Sequence, residues 1–245
     1  MDEIQRFAHD VRTNVERLMA DGDVQAKARA WLSDLTRLRY VYNFSWLGRP
    51  VIQLPQDLLA VQELIWGIRP DFILETGIAH GGSLIHSASL LELLGGDGLV
   101  VGVDIDIRAH NRREIEAHPL ARRIRLIEGS STDATVAAAV RQLARGRKAV
   151  MVMLDSDHTH AHVLRELELY APLVTRDSYL IVFDTVIEDL EDDLFPDRRW
   201  GKGNNPKTAV REFLKTTDRF VIDDRIAGKL LLTCAPDGYL RCLGD

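Results

Sequence analysis

The chain has only two cysteines in 245 residues, Cys234 and Cys242, both near its end. Two are too few for a disulfide framework, and no metal-binding partner pattern surrounds them, so both read as reduced core residues. Long apolar runs are missing too: none approaches the roughly 18 residues that span a bilayer. The opening, MDEIQRFAHD, is polar and acidic where a signal peptide is basic and then apolar. A cytoplasmic, soluble protein is the expectation. Positive charge is also in short supply. A net charge of −6 with mixed signs and no basic stripe disfavours nucleic acid as a partner. There is no internal repeat and no low-complexity segment.

What is present is 46% hydrophobic content, ample for a sizeable core, in a length that favours one large domain. Its centre is the stretch FILETGIAHGGS, residues 72–83. An apolar run reads as a buried parallel strand ended by Glu75; Gly77, Gly81 and Gly82 follow, and a helical pattern starts at Ser83. Such a strand, tight loop and helix brings a small ligand against bare backbone and unpaired helix-start N–H groups. An ordinary βα turn is the alternative.

Residues 2–40 carry two helical patterns divided by Gly22, an arm that could cap the site, pack on the core or mediate self-association. Residues 40–57, YVYNFSWLGRPVIQLPQD, are aromatic, Pro/Gly-interrupted and not periodic; they read as an irregular strap, either a lid or a core wrap. Arm and strap together form the expected segment 1–56, with a main domain at 57–245 whose first helix is capped by Asp57. From residue 72, apolar runs alternate with helical patterns: 99–103 ending in Asp104, 124–127 followed by EGSSTD, 149–154 followed by DSDHTHAH, and 179–183 ending in Asp184. Five such units predict an α/β doubly wound sheet. Glu75, Asp104, Ser130, Asp155 and Asp184 should then line the rim at the strands' carboxyl ends. In the tail, RFVID and KLLLTCAP read as strands, and the Asp237-Gly238 turn before YLRCL suggests an antiparallel hairpin at the sheet edge.

The glycine spacing is not the G-x-G-x-x-G of a nicotinamide site. E-x-G-x-x-x-G-G-S, with an acid ending the second strand, resembles the loop of S-adenosylmethionine (SAM)-dependent methyltransferases. Glu75 and the loop would face the cationic methionine end, Asp104 the ribose hydroxyls, and Ser130 and Ser131 the adenine. The densest polar group is Asp155, Asp157, His158, His160 and His162, with Asp184 on the neighbouring strand. Two adjacent carboxylates repel unless a cation or proton lies between them, so Mg²⁺ is a natural occupant, able to lower the pKa of a bound hydroxyl. Histidine titrates near neutrality, which suits His158 as general base. The alternatives are a helix start with solvated histidines, capped by Asp157 or Thr159, and a zinc site from His158 and His162.

Together the stretches NFSWLGRPVIQLPQDLLAVQELIW, ETGIAHGGS, VVGVDIDIR, EGSSTD, LDSDHTHAHVLRELELYAPLV, GNNPKTAVREFL and APDGYL resemble the cephalosporin hydroxylase (CmcI-like) family, which includes rhamnosyl and macrolide-sugar O-methyltransferases. The resemblance implies a mostly parallel seven-stranded, Rossmann-like methyltransferase fold with an antiparallel C-terminal edge and an N-terminal helical extension. It implies SAM at Glu75, Gly77, His80, Gly81, Ser83, Asp104, Ile105, Ser130, Ser131 and Asp155. It implies Mg²⁺ at Asp155, Asp184 and Asp157, His158 as base, and a small-molecule or saccharide acceptor. Many metal-dependent relatives carry an acidic pair after the fifth strand, whereas this chain has Phe183 and Asp184. Either Asp157, Glu188 or Asp189 substitutes, or metal affinity is weak, or catalysis proceeds without metal; Phe183→Glu is expected to tighten Mg²⁺ binding if the family geometry holds. Trp200, Lys202, Asn204 and Asn205 have the mix of a sugar-binding loop, an aromatic face with amides for hydroxyls; a plain surface loop is the alternative. Also open are a nicotinamide-dependent sugar-modifying enzyme, an inactive SAM-binding scaffold, and a homo-oligomer.

Overall fold

The computed structural model describes residues 2–244. Two helices lead, α1 (Glu3–Ala20) and α2 (Gly22–Arg37), followed by short strands β1 (Phe44–Trp46) and β2 (Arg49–Val51) and helix α3 (Pro55–Ile68). Strands and helices then alternate: β3 (Phe72–Thr76), α4 (Gly82–Leu94), β4 (Leu99–Asp104), α5 (Ala109–Glu116), β5 (Ile124–Glu128), α6 (Ala134–Ala144), β6 (Val150–Leu154), α7 (His160–Tyr170) and β7 (Tyr179–Val182). The tail holds α8 (Pro206–Phe213), β8 (Phe220–Ile222), α9 (Asp224–Leu230) and β9 (Tyr239–Cys242).

The main sheet has the order β5-β4-β3-β6-β7-β9-β8. Its first five strands pair in parallel, and β9 runs antiparallel to both neighbours. Leu74, Val101, Val152 and Leu180 face one apolar layer, whereas Ile73, Val100, Met151 and Ile181 face the other. Burial on both faces explains why these strands read as unbroken apolar runs. The expected α/β architecture with an antiparallel edge is therefore observed.

The edge is built differently from the hairpin expected of it. Residues 229–236 are not a strand: α9 takes their first part, and the rest is a buried connection with Leu232 and Ala235 inside the core. The backbone N–H of Cys234 donates to Asp57 and that of Ala235 to the Thr233 hydroxyl, so side chains replace a ladder. Strand β9 slots between β7 and β8, and Gly238 lies so close to β7 that a Cβ there would sit 2.1 Å from the Val182 carbonyl. A short apolar run is compatible with strand, helix or buried connection, and periodicity alone does not separate them.

Two further corrections concern the strap. Residues 44–51 form a regular hairpin pairing Phe44 with Val51 and Trp46 with Arg49. Leu47 (φ 44°) and Gly48 (φ 86°) both adopt the left-handed region that a two-residue hairpin turn needs. Leucine in place of the usual Asn or Asp concealed this turn. Asp57 is not a helix cap: Leu54 holds the cap position, with Pro55 in the first turn. Asp57 is fully buried, accepting from the Thr233 hydroxyl, the Tyr239 hydroxyl and the Cys234 N–H. Burial pushes its pKa up to about 6 against those bonds. It ties α3 to the C-terminal segment.

The arm packs on the main body through both of its helices. Val15 of α1 is buried, with Met19 against Gly228 of α9. Ala28 and Leu32 of α2 share a small core with Leu54, Val186, Leu190 and Leu232. Both cysteines are free, Cys242 buried and Cys234 half-buried. Among the described residues no helix is long and apolar enough to cross a membrane.

Candidate active site

The glycine loop after β3 is shaped by close approaches. Gly77 has φ +80°, and a Cβ on it would lie 2.1 Å from the Asp155 carbonyl. A Cβ on Gly82 would meet the Pro50 carbonyl at 2.2 Å, so the hairpin packs directly on the start of α4. The loop is fastened to β4 through Gly77 N–H to Val103 O (2.8 Å) and Ile78 N–H to the Asp104 carboxylate (2.9 Å). The other Asp104 oxygen accepts from Asp106 N–H at 3.1 Å. Asp104 thus anchors the loop and still offers lone pairs at the rim.

Glu75 is 2% exposed and accepts a hydrogen bond from the Ser83 hydroxyl on one oxygen. Its other oxygen, also buried, has no partner. Burial, with the Asp104 charge adding to it, raises its pKa to about 8. A buried carboxylate oxygen without a donor is costly, and a cationic ligand group beside it relieves that cost. Together with the bare Gly77, this is a donor set that fits the amino end of SAM.

A cleft of about 1270 Å³ opens over the strand ends, lined among others by Gly77, Asp104, Ile105, Ser130, Ser131, Asp157, His158 and Asp184. Glu75, His80, Gly81, Ser83 and Asp155 are not among the residues that line it. Ser131 is held by its neighbours: its carbonyl accepts from the buried Tyr170 hydroxyl, and its hydroxyl meets His162 Nε2 at 3.0 Å. Ser130 pairs with the Thr132 hydroxyl at 2.9 Å.

At the ends of β6 and β7, Asp155, His158 and Asp184 present ligand atoms that all lie within 4.8 Å of one another. His158 Nε2 is 3.2 Å from Asp184 Oδ2, and its ring stands edge-on to Trp200 at 5.2 Å. Burial, then the charges of Asp184 and Glu75, holds the Asp155 carboxyl well above the usual range. Such a pair of oxygen donors fits a hard divalent cation, which removes the repulsion that raises Asp155.

The structure does not bring Asp157 into this cluster. Burial would raise its pKa, but the Thr159 N–H (2.8 Å) and hydroxyl (2.6 Å) bond to it and hold it below the ordinary range, and Arg199 pairs with it at 3.1 Å. Nor does Glu188 or Asp189 substitute for a missing acid. Glu188 accepts from Gly203 N–H and the Asn205 amide, and Asp189 pairs with the buried Lys207 at 2.6 Å. The third group beside the two aspartates is His158. The histidines otherwise diverge: His160 meets Thr208 and Glu212, and His162 meets Ser131 and Ser156. Among the described residues a His158–His162 zinc site is therefore not formed.

Phe183 points away from the acids. It is 2% exposed and packs in the apolar layer of Met153, Ile181 and Ala235. The expectation that Phe183→Glu tightens Mg²⁺ is overturned, because the new carboxylate would enter the core. The variant is expected to lose about 3 kcal/mol or more of stability, read as a lowered urea midpoint, with no gain in Mg²⁺ affinity.

The supposed sugar loop divides similarly. Trp200 lines the cleft against His158 and Phe195. Asn205 is buried as the cap of α8, Asn204 bonds His160 N–H and Arg199 O, and Lys202 is exposed outside the cleft lining. Missed in the sequence were Gln53, whose side chain bonds Asp155, and Arg49 and Asn111, which hold the glycine loop. For Gln53 and Arg49 the only signal was the RPVIQLP stretch of the strap, and no motif marked Asn111 on α5.

An open, mostly parallel seven-stranded sheet with one reversed strand, a glycine loop after the interior strand β3 and acids at the strand ends defines a Rossmann-like methyltransferase fold. The profile of one family, described as Rhamnosyl O-methyltransferase/CmcI, matches residues 38–243, and the chain belongs to that family. Rhamnosyl O-methyltransferase of Mycobacterium tuberculosis (strain ATCC 25618 / H37Rv) is 29% identical over 189 residues, 75% of this chain and 72% of that protein. An apo structure of CmcI superposes with a TM-score of 0.58 at 20% identity, covering 83% of this chain and 78% of its own. A CmcI structure described as containing Mg and SAM gives 0.56 at 21% identity, covering 82% and 77%. At these identities the two structures bear on the fold alone.

Proposed function

We propose that this chain, a SAM-dependent O-methyltransferase by family, transfers the methyl group to a hydroxyl of a sugar on a small molecule, with Mg²⁺ assistance and His158 as general base. The observation that carries the reading is the Asp155, His158 and Asp184 cluster at the cleft, one loop away from the orphaned Glu75 oxygen. The mycobacterial relatives, named as rhamnosyl O-methyltransferases, support a glycoside acceptor.

In this reading Glu75, Gly77, His80, Gly81 and Ser83 hold the methionine end, Asp104 and Ile105 the ribose, and Ser130 and Ser131 the adenine. When bound, the cofactor supplies a methyl group activated on a sulfonium; a divalent ion between Asp155 and Asp184 supplies a positive charge that acidifies the acceptor hydroxyl. The protein does the rest by placement. Asp184 accepts from His158 Nε2–H and so fixes the imidazole, leaving Nδ1 as the ring nitrogen that takes the hydroxyl proton as the oxygen turns nucleophilic. Trp200 gives the sugar an aromatic face beside that base. Confinement in the cleft replaces a chance encounter by a fixed approach.

Calorimetric titration with S-adenosylhomocysteine, with and without Mg²⁺ and with NAD as control, tests the cofactor assignment. A panel of rhamnosides and other glycosides then tests the acceptor by methyl incorporation. Binding of S-adenosylhomocysteine but not NAD, and turnover that fails when Mg²⁺ is chelated, is the expected pattern. Binding of NAD instead would remove the methyltransferase reading, and turnover indifferent to chelator would remove the metal.

A further inference from the structure

The strap hairpin grips the cofactor loop through groups that the proposed chemistry does not use. The half-buried Arg49 on β2 donates to the His80 carbonyl from two guanidinium nitrogens, at 3.1 and 2.7 Å, and to Asn111 Oδ1 at 3.0 Å. Asn111, buried on α5, donates in turn from Nδ2 to the Ala79 carbonyl at 3.0 Å. Two successive carbonyls of the loop are thereby held toward the hairpin and α5. Ala79 sits at φ 44°, a left-handed conformation that a non-glycine residue keeps only when its surroundings enforce it.

This grip has a directional consequence. In a trans peptide the C=O and N–H point in opposite directions, and no peptide here is cis. Fixing Ala79 O on Asn111 turns the His80 N–H away from α5, and that N–H has no hydrogen-bond partner among the described residues. Nor is Arg49 neutralised: all three of its bonds end on uncharged oxygens, and none of the ion pairs among the described residues includes it. The loop therefore presents a free N–H backed by an uncompensated positive charge. Glu75, in the strand from which the loop leaves, has an unpartnered carboxylate oxygen. An amino acid zwitterion needs just these two complementary ends.

We infer that Arg49, acting through Asn111, is a positioning residue for the carboxylate of the cofactor's methionine end: Asn111 holds the peptide between residues 79 and 80, and Arg49 holds Asn111 and the next carbonyl, so that the His80 N–H faces that carboxylate. The inference rests on the SAM reading of the site. Losing a hydrogen bond to a charged group costs about 1.5–3 kcal/mol, which is roughly a 10- to 100-fold change in affinity.

The test compares S-adenosylhomocysteine with 5′-methylthioadenosine, which keeps the adenosine and thioether but lacks the amino acid. Arg49→Met is expected to weaken S-adenosylhomocysteine about 10- to 100-fold and to leave methylthioadenosine unchanged. Asn111→Asp, which removes the donor to Ala79 O and gives Arg49 a carboxylate, is expected to show the same selective loss. Equal losses for both ligands would overturn the inference, since the loop would then have collapsed as a whole. Unchanged affinity for S-adenosylhomocysteine in both variants would overturn it as well. Failure of the unmodified protein to bind S-adenosylhomocysteine at all would instead remove the cofactor reading, and this inference with it.

Discussion

His158→Ala lowers kcat by about two to four orders of magnitude, the range of a lost general base, and leaves the dissociation constant for S-adenosylhomocysteine within a factor of about two. The split follows from position. His158 stands at the end of β6 with its Nε2 against Asp184 and its ring against Trp200, whereas the glycine loop is fastened to β4, Arg49 and Asn111. On the proposed mechanism, removing the imidazole takes away the proton acceptor and touches none of the loop's bonds. A sugar hydroxyl would then have to lose its proton to water. His158→Gln keeps much of the contact with Trp200 without a useful base, so it should be nearly as inactive as alanine. If the glutamine variant retains more than about a third of wild-type kcat, His158 serves packing and not proton transfer.

The second large effect concerns Glu75. Its pKa of about 8 in the free protein lies well above the ordinary carboxylate range because the group is buried beside Asp104. At neutral pH the carboxyl therefore keeps a proton, which would have to leave for the ammonium of the proposed methionine end to bind next to it. Affinity for S-adenosylhomocysteine, measured in the presence of chelator, is expected to rise with pH between about 6 and 8, by up to tenfold per unit, and to level off above. Glu75→Gln should bind weakly and without that slope.

Stability moves the other way. A carboxyl whose folded pKa exceeds its unfolded value binds more protons in the folded chain, so its stabilisation is full below the unfolded value. That stabilisation is lost as pH rises toward 8. The loss amounts to something on the order of 5 kcal/mol for a shift from the ordinary glutamate value. Glu75→Gln removes this penalty and adds a smaller one for its unpaired amide. The variant should melt at or below wild type near pH 5 and clearly above it near pH 9. A flat affinity profile for the wild type, or parallel melting curves at both pH values, would contradict a buried carboxyl reserved for the ligand.

Most of the sheet was legible because β3, β4, β6 and β7 are covered on both faces, which leaves an unbroken apolar run in the sequence. The rim acids Asp104, Asp155 and Asp184 were legible for a related reason, since a buried strand that runs into an acid is leaving the core there, whereas Glu75 stays buried within β3. Phe183 shows where one more local rule would have helped. Its N–H still bonds Leu154 O, so strand alternation continues through it and puts it on the Ile181 side, in the apolar layer. The Leu47-Gly48 turn was hidden because its leucine accepts a left-handed conformation that only the packed hairpin enforces.

By itself, then, the sequence determined the α/β class, the glycine loop, the strand-end acids and the family resemblance, all of which depend on short-range patterns of burial and backbone freedom. Tertiary structure alone decided which polar groups meet. Asp157, Glu188 and Asp189 look as available as Asp155 and Asp184 in the sequence, yet Thr159, Asn205 and Lys207 claim them. The insertion of β9 between β7 and β8 and the reach of Arg49 to His80 across 31 residues are equally invisible there. The reason is physical: a hydrogen bond depends on distance and angle, and for residues far apart in the chain these are set by how the helices and the sheet pack, a sum of many weak contacts that no local pattern records.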